Sequence, residues 1–300
     1  RNEPGFKIKG ARYKTSKPKL MQIYQIINSA SQKLKNNNIH SCRLDSEILL
    51  SKVLNKKRQD LLLNSNYKVP LQLIKNFNRL LVRRLSKEPI AYILKEKEFW
   101  SKDFFVNNNT LIPRPETELM VEKIVKIYNN KNIFFLDIGT GSGCIILSIL
   151  SELNKSRAIG IDISSKAIQI AKQNSIKHGL TTNAKFFRKS LNQIYGYKFD
   201  LIVSNPPYIR KIDLKNLDDD IKKYEPRSAL DGGNDGLDVI KKVIYKSKSI
   251  LKINGLLALE IGNEQYKEVS KILKKNKFKI KFLICDYQEN VRCVLSTLKS

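Results

Sequence analysis

Histidine is nearly missing from this chain. It occurs twice in 300 residues, as His40 and His178, too few and too far apart to build a catalytic or metal-binding cluster. The four cysteines (Cys42, Cys144, Cys285, Cys293) show no C-x-x-C spacing. That excludes the usual zinc ribbons and disulfide frameworks, so no metal is expected and reduced, cytoplasmic thiols are. No apolar run approaches the roughly 20 residues of a membrane span. The opening segment Arg1–Lys19 is basic and holds Pro4, Gly5, Gly10 and Pro18 but no apolar h-region, so it does not read as a secretory signal. Residues 1–20 are expected to be a disordered leader, with the folded part starting near Met21.

Acidic residues are also scarce, at 28 Asp and Glu against 56 Lys and Arg, which leaves a net charge of +28. Such an excess invites a nucleic-acid partner. The lysines, however, are spread over nearly every segment among Asn and Ile residues. They read as a compositional bias, with weak ribosome or RNA affinity as a by-product and no specific nucleic acid. Hydrophobic residues make up 41%, enough for real cores, and the length allows one large domain or two ordinary ones.

From Met21 to Leu94 the pattern is helical. Ile23, Ile26, Ile27, Ala30 and Leu34 line one face of a first helix. Asn36-Asn37-Asn38 ends it, and Ser41 is expected to cap a second helix carrying Leu44, Ile48, Leu49 and Leu54. A short helix near Asp60–Leu63 follows, then one starting at Pro70. This half has no Gly-rich loop and no acid/base cluster, so it reads as a bundle that presents a surface. Residues 95–110, with Phe99, Trp100, Phe104 and Phe105, read as a β-hairpin linker. From 111 to 300, strands expected at Phe134–Ile138, Ala158–Ile163, Phe186-Phe187, Leu201–Ser204, Leu256–Ile261, Phe278–Cys285 and Val291–Leu298 alternate with helices. That alternation implies a doubly wound, mostly parallel α/β sheet, its last two strands forming an antiparallel edge.

Two strand ends carry the chemistry. Phe134–Ile138 runs into Gly139-Thr140-Gly141-Ser142-Gly143 and then a helix, where glycines let a ligand approach the backbone and the helix N-terminus favours an anion. Dinucleotide enzymes use similar glycines, but their fingerprint wants Gly or Ala where Cys144 stands. The next strand ends at Asp162, placed to accept both ribose hydroxyls of a nucleoside-like cofactor; hydrogen bonds to such a charged acceptor are worth roughly 1.5–3 kcal/mol. The alternative is a turn with a helix-capping Asp before Ser164-Ser165. Further on, Leu201–Ser204 breaks into Asn205-Pro206-Pro207-Tyr208. Two prolines make a stiff frame in which the Asn205 side-chain oxygen and the Pro206 carbonyl both accept from one NH2 group, while Tyr208 packs on its flat face. Together the loops point to methyl transfer onto an amide or amine nitrogen.

Asn-Pro-Pro-Tyr with Gly-x-Gly-x-Gly resembles S-adenosylmethionine-dependent amino-methyltransferases in general. Leu111-Ile112-Pro113-Arg114-Pro115-Glu116-Thr117-Glu118, Glu225-Pro226 with Ala229-Leu230, Asp235-Gly236-Leu237, and Leu259-Glu260-Ile261-Gly262 with Gln265 are similar to the HemK/PrmC family. Lys87–Leu94 and Glu98-Phe99-Trp100 fit that family's interdomain segment, and the resemblance runs from Met21 to Leu298. It implies a Rossmann-like class I methyltransferase sheet with an N-terminal helical-bundle domain. The implied activity is methylation of the glutamine N5 in the Gly-Gly-Gln loop of class 1 peptide chain release factors, by a cytoplasmic monomer whose helical domain recognises the release factor. Alternatives are a ribosomal-protein glutamine and a nucleic-acid adenine-N6. The cofactor, S-adenosylmethionine, is expected on Gly139, Thr140, Gly141, Ser142, Gly143, Asp162, Ser190 and Asn205; Asn205, Pro206, Pro207 and Tyr208 would hold the substrate. Glu116 and Thr117 border this pocket or cap the following helix, and Glu225 buttresses the loop or forms a surface pair. The chain departs from the family at Lys95 and in Asp286–Arg292, which lack the usual glycines, and at Lys189-Ser190-Leu191, which lacks an acidic residue and a Trp.

Overall fold

A computed structural model describes residues 20–299, so the leader expected at 1–20 lies outside the described residues apart from Leu20. Two compact units meet in sequence at Ser86 and Lys87.

In the first unit, β1 (Met21–Gln22) leads into α1 (Ile23–Asn36), whose buried residues are the five read from the spacing, Ile23, Ile26, Ile27, Ala30 and Leu34. The helix α2 (Cys42–Leu54) departs from the expectation. Leu44 is exposed, whereas Asp45, Ser46, Glu47, Leu49 and Leu50 are buried. Nor does the Ser41 side chain accept a helix N–H; its hydroxyl donates to Asp45 at 2.8 Å. The buried face is ionic because partners reach it: Arg84 donates to Asp45 at 2.7 Å, and Arg43 and Arg58 bracket Glu47 at 2.7 and 2.6 Å. Buried carboxylates persist only with such pairing. Next come α3 (Arg58–Leu63), β2 (Lys68–Val69), antiparallel to β1, and α4 (Leu71–Leu85), which has Pro70 at its N-cap and buries Phe77 and Leu81.

The second unit opens with α5 (Ile90–Leu94) and a hairpin of β3 (Glu96–Phe99) and β4 (Lys102–Phe105). Trp100 and Ser101 both have positive φ, as a tight two-residue turn between twisted strands requires. This hairpin is part of the unit's core, since Phe99 and Phe104 are buried with Met120, Ile124 and Phe135. Asn174 fixes it further, accepting from the Phe105 N–H at 2.7 Å and donating to the Phe105 carbonyl at 3.0 Å.

After α6 (Pro115–Tyr128) the chain alternates through β5 (Phe134–Ile138), α7 (Cys144–Glu152), β6 (Arg157–Asp162), α8 (Ser165–Lys177), β7 (Ala184–Arg188), β8 (Phe199–Ser204), α9 (Asp219–Tyr224), α10 (Asp238–Ile250), β9 (Leu251–Glu260), α11 (Tyr266–Lys275), β10 (Phe278–Cys285) and β11 (Val291–Leu298). The seven-stranded sheet has the order β10-β11-β9-β8-β5-β6-β7. Strands β7, β6, β5, β8 and β9 are parallel; β11 pairs antiparallel with both β9 and β10. One apolar core holds α6, α7 and α8 on one face, and a second holds α10 and α11 on the other. From β5 the chain moves outward through β6 and β7, then returns to the opposite side with β8 and β9. A crevice therefore opens at the C-terminal ends of β5 and β8, the switch point where such sheets bind ligands.

Candidate active site

The glycine loop leaves β5 at one side of this crevice. Backbone N–H groups of Gly139 and Thr140 donate to the Ile161 carbonyl at 2.9 and 3.0 Å, tying the loop to β6. Asn174 reaches it from α8, donating to the Ser142 carbonyl at 2.8 Å. A Cβ on Gly139 would meet nothing within 4 Å, and on Gly141 only the Gly139 carbonyl at 3.9 Å. Space therefore lies over this backbone. Gly143 has φ +79°, and a Cβ there would press on Ala171 and Leu147 at 3.3 Å. Its role is close packing of α7 on α8. The hydroxyls of Thr140 and Ser142 are buried. Thr140 donates to Asp137 Oδ2 at 2.7 Å.

Asp137 is fully buried and its other oxygen, Oδ1, lacks a hydrogen-bond partner. Burial pushes its pKa up to about 7; the bond from Thr140 pulls the other way and the charge of Asp162 adds to the rise. At the end of β6, Asp162 accepts from the Gly141 N–H at 3.1 Å and the Ser164 N–H at 2.8 Å. It thus closes the glycine loop and leads into the cap of α8, where Ser164 itself accepts from Ala167 N–H at 3.2 Å. Burial raises its pKa, against the N–H donors of Ser164, Gly141 and Ile163. Ser190 is exposed, with its N–H and hydroxyl both directed to Gln193 Oε1, at 2.8 and 3.2 Å.

Across the crevice, Ser204 donates to the Ile138 carbonyl at 2.8 Å and locks the end of β8 to the end of β5. Asn205, Pro207 and Tyr208 are half-buried and Pro206 is buried. The loop is braced from behind by Gln265, which donates to the Tyr208 carbonyl at 3.0 Å and the Gly236 carbonyl at 3.2 Å while accepting from Gly262 N–H at 2.8 Å. A Cβ on Gly236 would lie 2.5 Å from the Tyr208 carbonyl, so only glycine fits this brace. Burial pushes the Tyr208 phenol up to about 12, helped by Glu260 nearby. It stays neutral near pH 7.

Thr117 and Glu260, from the Leu111–Glu118 and Leu259–Gly262 strings, complete the wall. Thr117 donates to Glu260 Oε2 at 2.5 Å, and Asn205 Nδ2 donates to Thr117 Oγ1 at 3.4 Å. Glu260 is 1% exposed. Burial pushes it up to about 7, opposed by the Thr117 bond, the Arg292 charge and hydrogen bonding from Asn205, and assisted by Glu116. Glu225 takes neither of its two expected roles. It accepts from Arg114 at 2.5 Å and from the Ile112 N–H at 3.2 Å, so it anchors the segment before Thr117.

The donor set suits a nucleoside-like group bearing a cationic amino-acid tail. There is open space over Gly139 and Gly141, an acidic residue at the end of β6, and a buried carboxylate with an unmatched oxygen under the loop.

Residues 25–94 match the PrmC N-terminal domain and residues 129–293 match a methyltransferase domain. A release factor glutamine methyltransferase of Clostridium acetobutylicum is 39% identical over 268 residues, covering 86% of this chain and 92% of that protein. A bifunctional methyltransferase of Rickettsia prowazekii is 37% identical over 91% of this chain but only 56% of its own length; the chain spans little more than half of such relatives. Among solved structures, a methyltransferase from Pyrococcus furiosus overlays with TM-score 0.51 at 16% identity, covering 74% of this chain and 99% of that one. That likeness shows the class I methyltransferase fold. With both domains matched in order and a relative aligned over nearly its whole length, the chain belongs to the release factor glutamine methyltransferase family.

Proposed function

We propose that this protein transfers a methyl group from S-adenosylmethionine to the side-chain amide nitrogen (N5) of the Gly-Gly-Gln glutamine in class 1 peptide chain release factors. The observation that carries the proposal is the half-buried Asn205 beside buried Pro206, at the switch point opposite an open glycine loop. S-adenosylmethionine supplies an electrophilic sulfonium methyl. The backbone of Gly139–Gly143 would cradle the amino-acid end, with Thr140 and Ser142 stiffening the loop, and Asp162 would accept from the ribose hydroxyls. Ser190 borders the adenine wall.

An amide nitrogen is a poor nucleophile because its lone pair is delocalised into the carbonyl. In our reading Asn205 Oδ1 and the Pro206 carbonyl each accept one amide hydrogen. Pro207 holds that carbonyl rigid, and Tyr208 packs on the amide plane. Fixing both hydrogens would orient the nitrogen lone pair at the methyl, so that the N–C bond forms as the sulfonium S–C bond breaks to a neutral thioether and one amide proton is lost to solvent; positioning of this kind supplies up to ~7–11 kcal/mol. The helical unit recognises the release factor's surface, and the enzyme works as a cytoplasmic monomer.

The test is transfer of labelled methyl to a purified release factor, to the same factor with the loop glutamine replaced, and to DNA and RNA. Label on the intact factor alone supports the proposal. Label on nucleic acid, or on the glutamine-replaced factor, overturns it.

A further inference from the structure

Resting on that reading, we propose that Glu260 and Thr117 form a polarity relay that forces the Asn205 side-chain oxygen toward the substrate, making the site select an NH2 group. A carboxylate only accepts hydrogen bonds, a hydroxyl has one hydrogen to give, and a primary amide has a donor end and an acceptor end. Glu260 is buried at the end of β9 and takes the single Thr117 hydrogen at 2.5 Å. The Thr117 oxygen then has only lone pairs left for its other neighbour, Asn205 Nδ2, at 3.4 Å. Asn205 hydrogen bonding also favours the ionised form of Glu260. With its NH2 end turned to this pair, Asn205 offers Oδ1 to the crevice. The reversed amide would set an NH2 against the substrate's NH2 and would leave two acceptors facing each other in a buried wall, a costly arrangement. Glu260 therefore acts through Thr117 as a positioning residue, without touching substrate.

Protonating Glu260 removes the compulsion, because a carboxylic acid can donate to Thr117 and free that hydroxyl to donate to Asn205. Groups that bear on Glu260 come from four other elements: Arg292 and Cys293 of β11, Glu116 of α6, Cys144 of α7 and Tyr208 of the loop after β8. The two thiols and the phenol are pushed up by burial, Cys144 and Tyr208 to about 12. Glu260 thus changes charge around neutrality within the relay itself, whereas Asp137, raised likewise to about 7, lies under the glycine loop and makes no hydrogen bond to Thr117 or Asn205 among the described residues.

The experiment follows the Asn205 side-chain amide by NMR in the whole chain, its signal assigned by loss in Asn205→Ala, and methyl transfer alongside. In the unmutated protein the amide protons are expected to shift with a midpoint near neutral pH, and Glu260→Gln is expected to abolish the shift. Thr117→Val should lower kcat at least about tenfold with the Kd for S-adenosylmethionine within about threefold, and Thr117→Ser should restore kcat, as loss of one interaction worth ~1.4 kcal/mol requires. Full kcat in Thr117→Val, or Asn205 amide signals that Thr117→Val leaves unchanged, overturns the relay. A titrating amide with no label on any glutamine-bearing protein supports the relay and overturns the proposed function instead.

Discussion

Lys95 and Glu289 occupy positions built for glycine. Their φ angles are +60° and +63°, in the left-handed region that costs an L-residue ~1–2 kcal/mol. Lys95 is the left-handed C-cap of α5, and Glu289 closes the Asp286–Asn290 turn, where its N–H donates to the Asp286 carbonyl at 3.0 Å. Both are exposed. Replacing each with Gly relieves the strain but loosens the unfolded chain by ~0.5–1 kcal/mol. The net gain is then ~0–1.5 kcal/mol per site, centred at ~0.75, and the double variant gains ~1.5 kcal/mol at those central values if the two sites add. For a unit of this size a gain of ~1 kcal/mol raises the midpoint by ~2–4 °C. Thermal unfolding followed by circular dichroism should show Lys95→Gly and Glu289→Gly each raising the transition of the second unit, and the pair raising it further. Asn130 and Asn254 also have positive φ, +60° and +62°, but asparagine tolerates that region, so Asn254→Gly should change little. A fall in midpoint for either glycine variant, or a gain at Asn254 equal to theirs, would refute the reasoning.

Gly160→Ala should destabilise the second unit by ~1–3 kcal/mol in urea titration, because its Cβ would sit 2.7 Å from the Phe186 ring and 2.9 Å from the Thr140 hydroxyl. Asp45→Ala should cost the helical unit ~1.5–3 kcal/mol by removing the charged acceptor shared by Arg84 and Ser41; an unchanged urea midpoint would refute this. Asp137, its folded-state pKa raised from 3.8 to about 7, stabilises the fold while protonated. That contribution is complete below its unfolded pKa and is lost as pH rises through about 7. Denaturation from pH ~4 to ~8 should show the decline lessened in Asp137→Asn; an unchanged slope would contradict the assignment.

The strands and the two loops were legible because they rest on local pattern. Phe134–Ile138, Phe278–Cys285 and Val291–Leu298 stand in the structure with the limits read from their apolar runs. Periodicity could not say that β11 inserts between β9 and β10, since an antiparallel pair reads alike whichever member is outermost. It also mislocated the buried face of α2, because Asp45 is buried against Arg84, 39 residues away, and Glu47 between Arg43 and Arg58, not through hydrophobicity. Thr117 with Glu260 and Arg114 with Glu225 are pairings of the same kind, 143 and 111 residues apart. No spacing rule reaches that far. The family strings had named all four residues without showing that they touch. The missing glycines at Lys95 and Glu289 were visible as departures, and the backbone angles supply their physical meaning.

The central claim is that the acceptor is a glutamine amide nitrogen held by Asn205 and Pro206. The most direct measurement is fragmentation mass spectrometry of a class 1 release factor after incubation with this protein and S-adenosylmethionine. One added methyl group on the side chain of the Gly-Gly-Gln glutamine, absent when Asn205→Ala replaces the wild type, is the expected result. A methyl group on any other residue, or the same yield from the Asn205→Ala protein, would contradict the account.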